Sequence, residues 1–337
     1  MSALRTRRSV TALIGLALLS AAVWAVTRHR ESAAAAWSTV RQPSLSWSIA
    51  LPVTVLATVA LTAKSLLWLT NRAARESRLG FGEMVGLTLA SSLGNMIPIQ
   101  PGLAGRVAYQ LQVHGMPVAV SLLVTVQSTL LTLAAVAWLG VALLMIRAGG
   151  LSWSAAPASV LLITPALLAS ARGGSVVPSA FAARFGELLC SALRTTACFA
   201  LVGHPIEPLV ALTLACASNA ANCVPMIGGG LGIREWITGL LAPALAGIAT
   251  PDALAAELLN RAVELLVVVP GGLLAGPPLA RRIAEAMRTR RVMPTADGAG
   301  TATPRSMLRW SFAIGSAQRP SEGESDPPPS TPTSSAP

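Results

Sequence analysis

Apolar runs long enough to cross a membrane are the feature that most constrains what this chain can fold into. The hydrocarbon core of a bilayer is about 30 Å thick, and an α-helix crosses it in about 20 residues. Such runs occupy residues 10–26, 48–69 and 117–146, and a run with charges inside it occupies residues 254–276. Charged residues make up 12% of the 337-residue chain, about half of their share in an ordinary globular domain. The sequence therefore predicts an all-α, polytopic helical membrane protein.

Arginine clusters at the ends of the apolar runs predict how the chain is oriented. The formal charge of +11 would suggest nucleic-acid binding in a soluble chain, but membrane proteins concentrate Lys and Arg in cytoplasmic loops. The clusters precede the first run and follow the second and the last: Arg5, Arg7, Arg8; Arg72, Arg75, Arg78; Arg281, Arg282, Arg288, Arg290, Arg291. We expect a multi-pass protein of the cell membrane with both termini in the cytoplasm and no nucleic-acid partner. The first run also resembles a signal peptide, although the many later spans favour an uncleaved anchor.

An internal repeat is the most informative pattern in the chain. Residues 88–106 read TLASSLGNMIPIQPGLAGR, and residues 213–234 read TLACASNAANCVPMIGGGLGIR. Both copies begin with Thr-Leu-Ala, place an Asn three residues before a Pro, cross a Gly-rich loop and end in an Arg. A proline opens another apolar helix after each copy, at Pro117 and at Pro251. These matches indicate a duplicated unit, with halves at about residues 81–146 and 206–277.

The two halves are predicted to have opposite orientations. Between the copies we count three crossings, at residues 117–146, 154–171 and 185–203, and an odd number inverts the second copy. Apolar segments interrupted by Pro and Gly at matching positions are typical of transporter binding sites, because irregular backbone at membrane depth needs protein or a wet cavity around it. We therefore predict two broken or re-entrant helical hairpins held by about six full crossings, or about ten crossings if every hairpin arm spans the membrane.

Three regions are predicted along the chain. Residues 1–9 form a cytoplasmic N-terminus, and residues 10–282 form the polytopic membrane domain. Residues 283–337 form a disordered cytoplasmic tail, because its final part, SEGESDPPPSTPTSSAP, cannot bury enough apolar surface to become ordered.

Charges inside the apolar segments are expensive in a membrane and therefore mark candidate functional residues. In the repeats these residues are Arg106, with Tyr109 one turn on, and Arg234, Glu235, Arg261 and Glu264. Two interpretations are open. Arg261 and Glu264 are three residues apart on a helix and can form a structural ion pair. Alternatively, Arg106, Arg234 and Arg261 converge on an anionic head group, since a planar guanidinium binds phosphate oxygens in bidentate fashion.

In the second interpretation, further residues complete a lipid head-group site. Tyr109 and Asn222 also bind the head group, while Glu235 and Glu264 orient the arginines or neutralise them when the site is empty. The loops bring bare backbone close to the ligand, because glycine has no Cβ and a helix N-terminus presents free N–H groups. The loop residues are Pro98, Gly102, Gly105, Pro225, Gly228, Gly229, Gly230 and Gly232.

The remaining polar residues carry weaker signals. Glu187 and Arg194 are seven residues apart on one helical face and predict a polar stripe, and Glu83 is expected near the cytoplasmic interface. His114 and His204 are expected in solvated loops, and all four cysteines are expected to be small buried packing residues. No residue spacing fits a zinc site, and no phosphate-binding loop for ATP is present. We predict no catalytic residue, metal or cofactor, and the chain is not expected to be an enzyme.

The motifs resemble the lysylphosphatidylglycerol synthase transmembrane region, also called the flippase-like domain. The second signature of that family, a Pro and a Gly-rich loop ending in Gly-x-Arg-Glu, and its later arginine match Pro225, Gly228, Gly229, Gly230, Gly232, Arg234, Glu235 and Arg261. The first signature matches Pro98, Gly102, Arg106 and Gly115. The resemblance covers about residues 40–282 and departs at two places. Leu103 stands where the family has Glu, and Gln127-Ser128 stands where it has a Glu-Arg pair.

The resemblance implies a protein that binds an anionic phospholipid or a polyprenyl-phosphate-linked lipid and translocates it between leaflets. The two departures remove the acidic partners of Arg106. Either a bound anion or water satisfies this arginine, or the chain has drifted from the activity of the family. The alternative function is a non-transporting membrane scaffold or accessory subunit for a glycosyltransferase or lipid-modifying enzyme.

Overall fold

The computed structural model describes residue 20 and residues 45–74, 78–96, 101–148, 176–223 and 233–292. Within these ranges the chain forms eight α-helices and no strand, which confirms the all-α prediction for the described residues. The helices are α1 Leu45–Ala73, α2 Phe81–Asn95, α3 Pro101–His114, α4 Val118–Arg147, α5 Val176–Leu201, α6 Pro208–Asn222, α7 Ile233–Ala246 and α8 Thr250–Val292. The chain divides into two compact units, Met1–Thr289 and Arg290–Pro337, and the packing below concerns the first.

Four of the helices are long and apolar enough to cross a membrane. The candidate spans are Ile49–Ala73, Val118–Ile146, Val176–Leu201 and Thr250–Thr289. They coincide with four of the predicted crossings, whereas the predicted crossing at residues 154–171 and, apart from residue 20, the one at residues 10–26 lie outside the described residues. Along α4, Leu130, Val141 and Leu144 expose most of their side chains. A long helix with such a surface suits lipid tails rather than water, as expected for an integral membrane protein.

Four shorter helices pack as two hairpins. Helices α2 and α6 have 15 residues each, and α3 and α7 have 14 residues each. At 1.5 Å per residue each helix rises about 21–23 Å, which is less than the roughly 30 Å of a hydrocarbon core. Among the described helices the same order therefore occurs twice: a long helix, two short helices and a second long helix. The inverted sequence repeat and the re-entrant course of the hairpins stay predictions.

The two hairpins lie against opposite ends of α8. Helix α2 packs on the C-terminal half, where Gly271 faces Leu89 and Gly272 faces Leu93. At the same end Glu83, which begins α2, pairs with His114, which ends α3. Helices α6 and α7 pack instead on the N-terminal half of α8, in a core that includes Leu214, Ala242 and Ala253. The first and last turns of the α2–α3 hairpin therefore lie near the C-terminal end of α8. Those of the α6–α7 hairpin lie near its N-terminal end.

Glycines on α8 allow this close approach of α2, and their substitution provides a first prediction. A Cβ added at Gly272 would lie 2.8 Å from the Cβ of Leu93 and 3.1 Å from the carbonyl oxygen of Leu89. We expect Gly272→Ala to lower the free energy of unfolding by about 1–2 kcal/mol, because the packed helices must separate. The measurement is the temperature at which detergent-solubilised protein leaves its monodisperse size-exclusion peak. Gly276→Ala, in open space on the same helix, is the control, and equal temperatures for both variants would contradict the packing.

Candidate functional site

The residues Arg234 and Glu235 lie in the first turn of α7, immediately after the predicted glycine loop. Both side chains are buried, although each would carry a charge in water. The Arg234 guanidinium faces α8, where its Nε lies 2.5 Å from Glu257 Oε1 and its Nη1 lies 3.1 Å from Glu264 Oε2. Arg261 Nη1 lies 3.2 Å from the same oxygen of Glu264. Ion pairs to two glutamates thus join the start of α7 to the middle of α8.

Neutral polar groups extend these ion pairs to two further helices. Asn260 Nδ2 donates hydrogen bonds to both carboxylate oxygens of Glu257, at 3.1 and 3.2 Å. Arg194 on α5 donates from Nε to Asn260 Oδ1 at 2.5 Å. Thr238 Oγ1 on α7 lies 3.5 Å from Glu257 Oε2 and 3.3 Å from Ser218 Oγ on α6. We call Arg194, Arg234, Thr238, Glu257, Asn260, Arg261 and Glu264 the arginine–glutamate network.

The network brings together part of the predicted site. Arg234, Arg261 and Glu264 meet, and the ion pair expected from the spacing of Arg261 and Glu264 is present. Asn222 ends α6 with an exposed side chain. The predicted loop residues Pro98, Pro225, Gly228, Gly229, Gly230 and Gly232 lie outside the described residues.

Glu257 and Asn260 are members of the network that the sequence analysis missed. A signal for them existed, because residues 257, 260, 261 and 264 fall at spacings of three and four and therefore share one face of α8. Polar residues repeated on one face of an apolar helix indicate a polar seam between helices. That pattern identifies the face of α8, but it does not identify Arg234 as its partner.

Arg106 lies on α3 and has a different set of contacts. Its Nη2 donates to Thr125 Oγ1 on α4 at 2.8 Å. Among the described residues no carboxylate forms an ion pair with it. One turn along α4, Ser128 accepts a hydrogen bond from Arg184 of α5, and the positive charge of Arg184 is close enough to oppose that of Arg106. The structure thus places Arg106 beside a second arginine, outside the contacts of the arginine–glutamate network.

The predicted polar stripe on α5 is divided between these two groups. Glu187 pairs with Arg184, at 2.6 Å between Oε2 and Nη1, whereas Arg194 contacts Asn260. Arg184 is itself buried, and its Nε has no hydrogen-bond partner among the described residues. Among the described residues, the region around Arg106 and Arg184 therefore contains these two guanidinium groups and the carboxylate of Glu187.

A cavity of about 230 Å³ separates the α2–α3 hairpin from the C-terminal half of α8. Apolar or small residues of α2 and α8 form most of its wall, including Leu87, Gly94 and Leu279, while Arg106 and Tyr109 line it from α3. The cavity therefore combines an apolar wall with one guanidinium group. A molecule bound in this cavity would contact both an apolar surface suited to acyl chains and the positive charge of Arg106.

Tyr109 is fully buried and its hydroxyl is already engaged. It donates a hydrogen bond to Glu83 Oε1, which also lies 2.9 Å from His114 Nε2 and 3.3 Å from Arg282 Nη1. Burial disfavours ionisation of Glu83, but the hydrogen bonds from Tyr109 and His114 outweigh it and hold the pKa of this carboxyl below its ordinary value. Burial and the hydrogen bond to Glu83 raise the pKa of the Tyr109 phenol. The contacts of Glu83 with Tyr109 and His114 thus join the first turn of α2 to the second half of α3.

Two minor predictions about side chains are corrected in part. His114 is not a solvated loop residue, because it ends α3 and its side chain is 11% exposed in the pair with Glu83. His204 is exposed as expected and pairs with Asp252 at 3.3 Å. Of the four cysteines, Cys198 and Cys216 are buried, whereas Cys190 and Cys223 are half-buried. Among the described residues, no group of three or more metal-ligating side chains comes together.

Comparisons with known proteins identified no relative of this chain. Neither the protein-family models, nor the curated proteins, nor the solved structures include a match to this chain. The resemblance found in the motifs therefore stays a proposal.

Proposed function

We propose that this chain binds an anionic lipid within the membrane and moves it between the leaflets. The observation that carries the proposal is the environment of Arg106. Its guanidinium lines an otherwise largely apolar cavity, donates to the Thr125 hydroxyl and has no carboxylate ion pair among the described residues. A phosphate-bearing lipid matches both properties, since its head group would neutralise Arg106 while its chains contact the apolar wall.

The energetics of a charge in the membrane favour such a ligand. An arginine at the centre of a membrane helix costs about 2.5–3.5 kcal/mol on insertion scales, and the hydroxyl of Thr125 neutralises none of its charge. An anion within reach of Arg106 and Arg184 would offset that cost by forming charge-assisted hydrogen bonds. Arg234 and Arg261 differ, because Glu257 and Glu264 already balance them.

The arrangement of the two hairpins also supports a carrier. Hairpins that meet opposite ends of α8 suit a pathway that is reached from either leaflet, as in transporters built from inverted repeats. In this proposal the two hairpins are re-entrant, as the Pro- and Gly-interrupted repeats indicate, and both termini are cytoplasmic, as the arginine clusters indicate.

The direct test is the rate of lipid translocation in proteoliposomes that contain fluorescent phosphatidylglycerol. We expect Arg106→Gln to lower the rate roughly tenfold or more, because a hydrogen bond to a charged group contributes about 1.5–3 kcal/mol. Glutamine retains a donor for Thr125 and removes the charge. Arg288→Gln removes the same charge from an exposed position on α8 and should leave the rate unchanged. Wild-type rates in Arg106→Gln would refute the assignment of this residue.

The alternative of a non-transporting accessory subunit rests on the acidic residues missing at Leu103 and Gln127. Purification in mild detergent separates the two functions. A stoichiometric glycosyltransferase or lipid-modifying enzyme in the preparation, without translocation by the chain alone, would support the accessory role. Retained anionic lipid identified by mass spectrometry would support the carrier.

A further inference from the structure

We infer that Glu264 is an exchangeable counter-ion: an anionic lipid head group binds Arg234 and Arg261 by displacing this carboxylate, which takes up a proton from solvent as it leaves. The inference rests on the proposed function and adds a second contact point for the lipid, together with a coupling to protons. Three observations support it: the unequal anchoring of the two glutamates, the position of Glu264, and the charge balance of the network.

Glu257 and Glu264 are anchored very differently. Both oxygens of Glu257 are engaged, with Arg234, Asn260 and Thr238 around them, and its side chain is 2% exposed. Glu264 accepts hydrogen bonds from the described residues through Oε2 alone, and its side chain is 25% exposed. Its two contacts with arginine are also longer, at 3.1 and 3.2 Å against 2.5 Å for Glu257. Glu257 is therefore the fixed partner of Arg234, and Glu264 is the partner that can leave.

Glu264 stands at the boundary between the buried arginines and the lipid-facing surface of α8. The next two residues, Leu265 and Leu266, are exposed apolar side chains. A head group that slides along this face with its acyl chains in the lipid reaches Glu264 before it reaches Arg234. The phosphate offers the same kind of oxygen acceptor as the carboxylate. It can therefore replace Glu264 without leaving either guanidinium unpaired.

The charge balance of the network requires a proton for this exchange. The charged groups that face Glu264 from α5, α7 and α8 are Arg194, Arg234 and Arg261, and the other acidic groups beside Arg234 are Glu235 and Glu257. When Glu235, which lies beside Arg234 and Arg261, is counted with the network, Arg194, Arg234 and Arg261 stand against Glu235, Glu257 and Glu264, so this group of six charges is neutral when all are ionised. A monoanionic phosphodiester would add one uncompensated negative charge in a medium where such a charge is expensive. Protonation of the displaced Glu264 restores neutrality.

The sign of the pH dependence follows from this balance. The lipid-bound state holds one proton more than the free state, so lower pH favours binding. The dissociation constant should rise by up to about tenfold for each unit of increasing pH, over the range in which Glu264 is ionised in the free protein and protonated in the complex. A network with a purely structural role would bind no lipid at Arg234 and Arg261 and would show no such slope.

The experiment is calorimetric titration of the detergent-solubilised full-length protein with short-chain phosphatidylglycerol, in two buffers of different ionisation enthalpy. The difference between the buffers counts the protons taken up for each lipid bound. We expect about one proton in the wild type, and about zero with a pH-independent dissociation constant in Glu264→Gln. Glu285→Gln makes the same change at an exposed site of α8 and should behave as the wild type.

The outcomes distinguish failure of this inference from failure of the proposed function. Binding without proton uptake in the wild type, or an unchanged pH slope in Glu264→Gln, would overturn the role of Glu264 and leave lipid binding standing. Proton-coupled binding without translocation would support the inference and refute the carrier. Absence of phosphatidylglycerol binding by the wild type would refute both. Should Glu264→Gln fail to fold, the proton count of the wild type decides alone.

Discussion

Replacing Glu257 by alanine is expected to lower the free energy of unfolding by about 3–5 kcal/mol, the cost of breaking a buried ion pair by removing one partner. The change takes away the carboxylate whose Oε1 lies 2.5 Å from Arg234 Nε in an ion pair, and with it the acceptors of both hydrogen bonds from Asn260 Nδ2. Arg234 is 4% exposed and cannot reach water without the helices separating. Because Asn260 also holds Arg194, the loss extends from α8 to both α5 and α7.

Heating of detergent-solubilised protein followed by size-exclusion chromatography measures this loss. Glu285→Ala, at an exposed position of the same helix, should change stability by no more than about 0.5 kcal/mol. A double variant, Glu257→Leu with Arg234→Met, should recover much of the loss, because replacing a whole buried pair by apolar residues is often close to neutral. If Glu257→Ala unfolds at the same temperature as Glu285→Ala, Glu257 is not the structural anchor of the network.

The long helices were predictable because length and hydropathy are properties of one continuous segment. The predicted crossings at residues 48–69 and 117–146 nearly coincide with α1 and α4, respectively. The limits of α8 were harder to predict from the sequence, since the predicted crossing at residues 254–276 covers only the middle of Thr250–Val292. This helix continues through Pro270, Pro277 and Pro278, which normally break helices in water. Membrane helices tolerate proline when neighbouring groups satisfy the freed carbonyls.

The candidate site was only partly predictable, because local spacing reveals contacts within a helix but not between helices. The pair of Arg261 and Glu264 follows from a separation of three residues. The pair of Arg234 and Glu257 depends on where α7 crosses α8, and no local pattern encodes that crossing. Arg106 presents the same problem, since its partner Thr125 is an ordinary residue of an apolar helix and gives no signal of its own.

Tyr109 illustrates how proximity in sequence can mislead. Its position one turn after Arg106 predicts a shared ligand, and both residues do line one cavity. The phenol hydroxyl, however, is used by Glu83 of α2. The sequence pattern placed Glu83 near the cytoplasmic interface and did not connect it with Tyr109. The fold of the hairpin brings its first and last turns together, and the polar residues there satisfy one another.

The crossing of α2 and α3 provides the second large prediction, at Gly102. A Cβ at this position would overlap the carbonyl oxygen of Ser91 and lie 2.7 Å from Asn95 Oδ1. On the facing helix, a Cβ at Gly94 would lie 2.7 Å from the Cα of Gly102. Backbone approaches this close exist only between glycines or other small residues. The first copy of the repeat therefore contains Gly102 at the point where α2 and α3 touch.

We expect Gly102→Ala to lower the free energy of unfolding by about 3 kcal/mol, the upper end for overpacking, because the obstacle is backbone and cannot rotate away. Separation of α2 from α3 would also break the hydrogen bond from Leu103 N to Asn95 Oδ1, at 3.1 Å. Thermal unfolding of the purified variant measures the loss, with Gly105→Ala as control, since a Cβ there meets nothing within 4 Å. Equal stability of the two variants would mean that α2 and α3 do not approach at Gly102. Loss of stability at Gly102 alone would locate the constraint in the contact between the helices rather than in glycine content, and because Arg106 stands one turn further on, the same contact determines where its guanidinium is held.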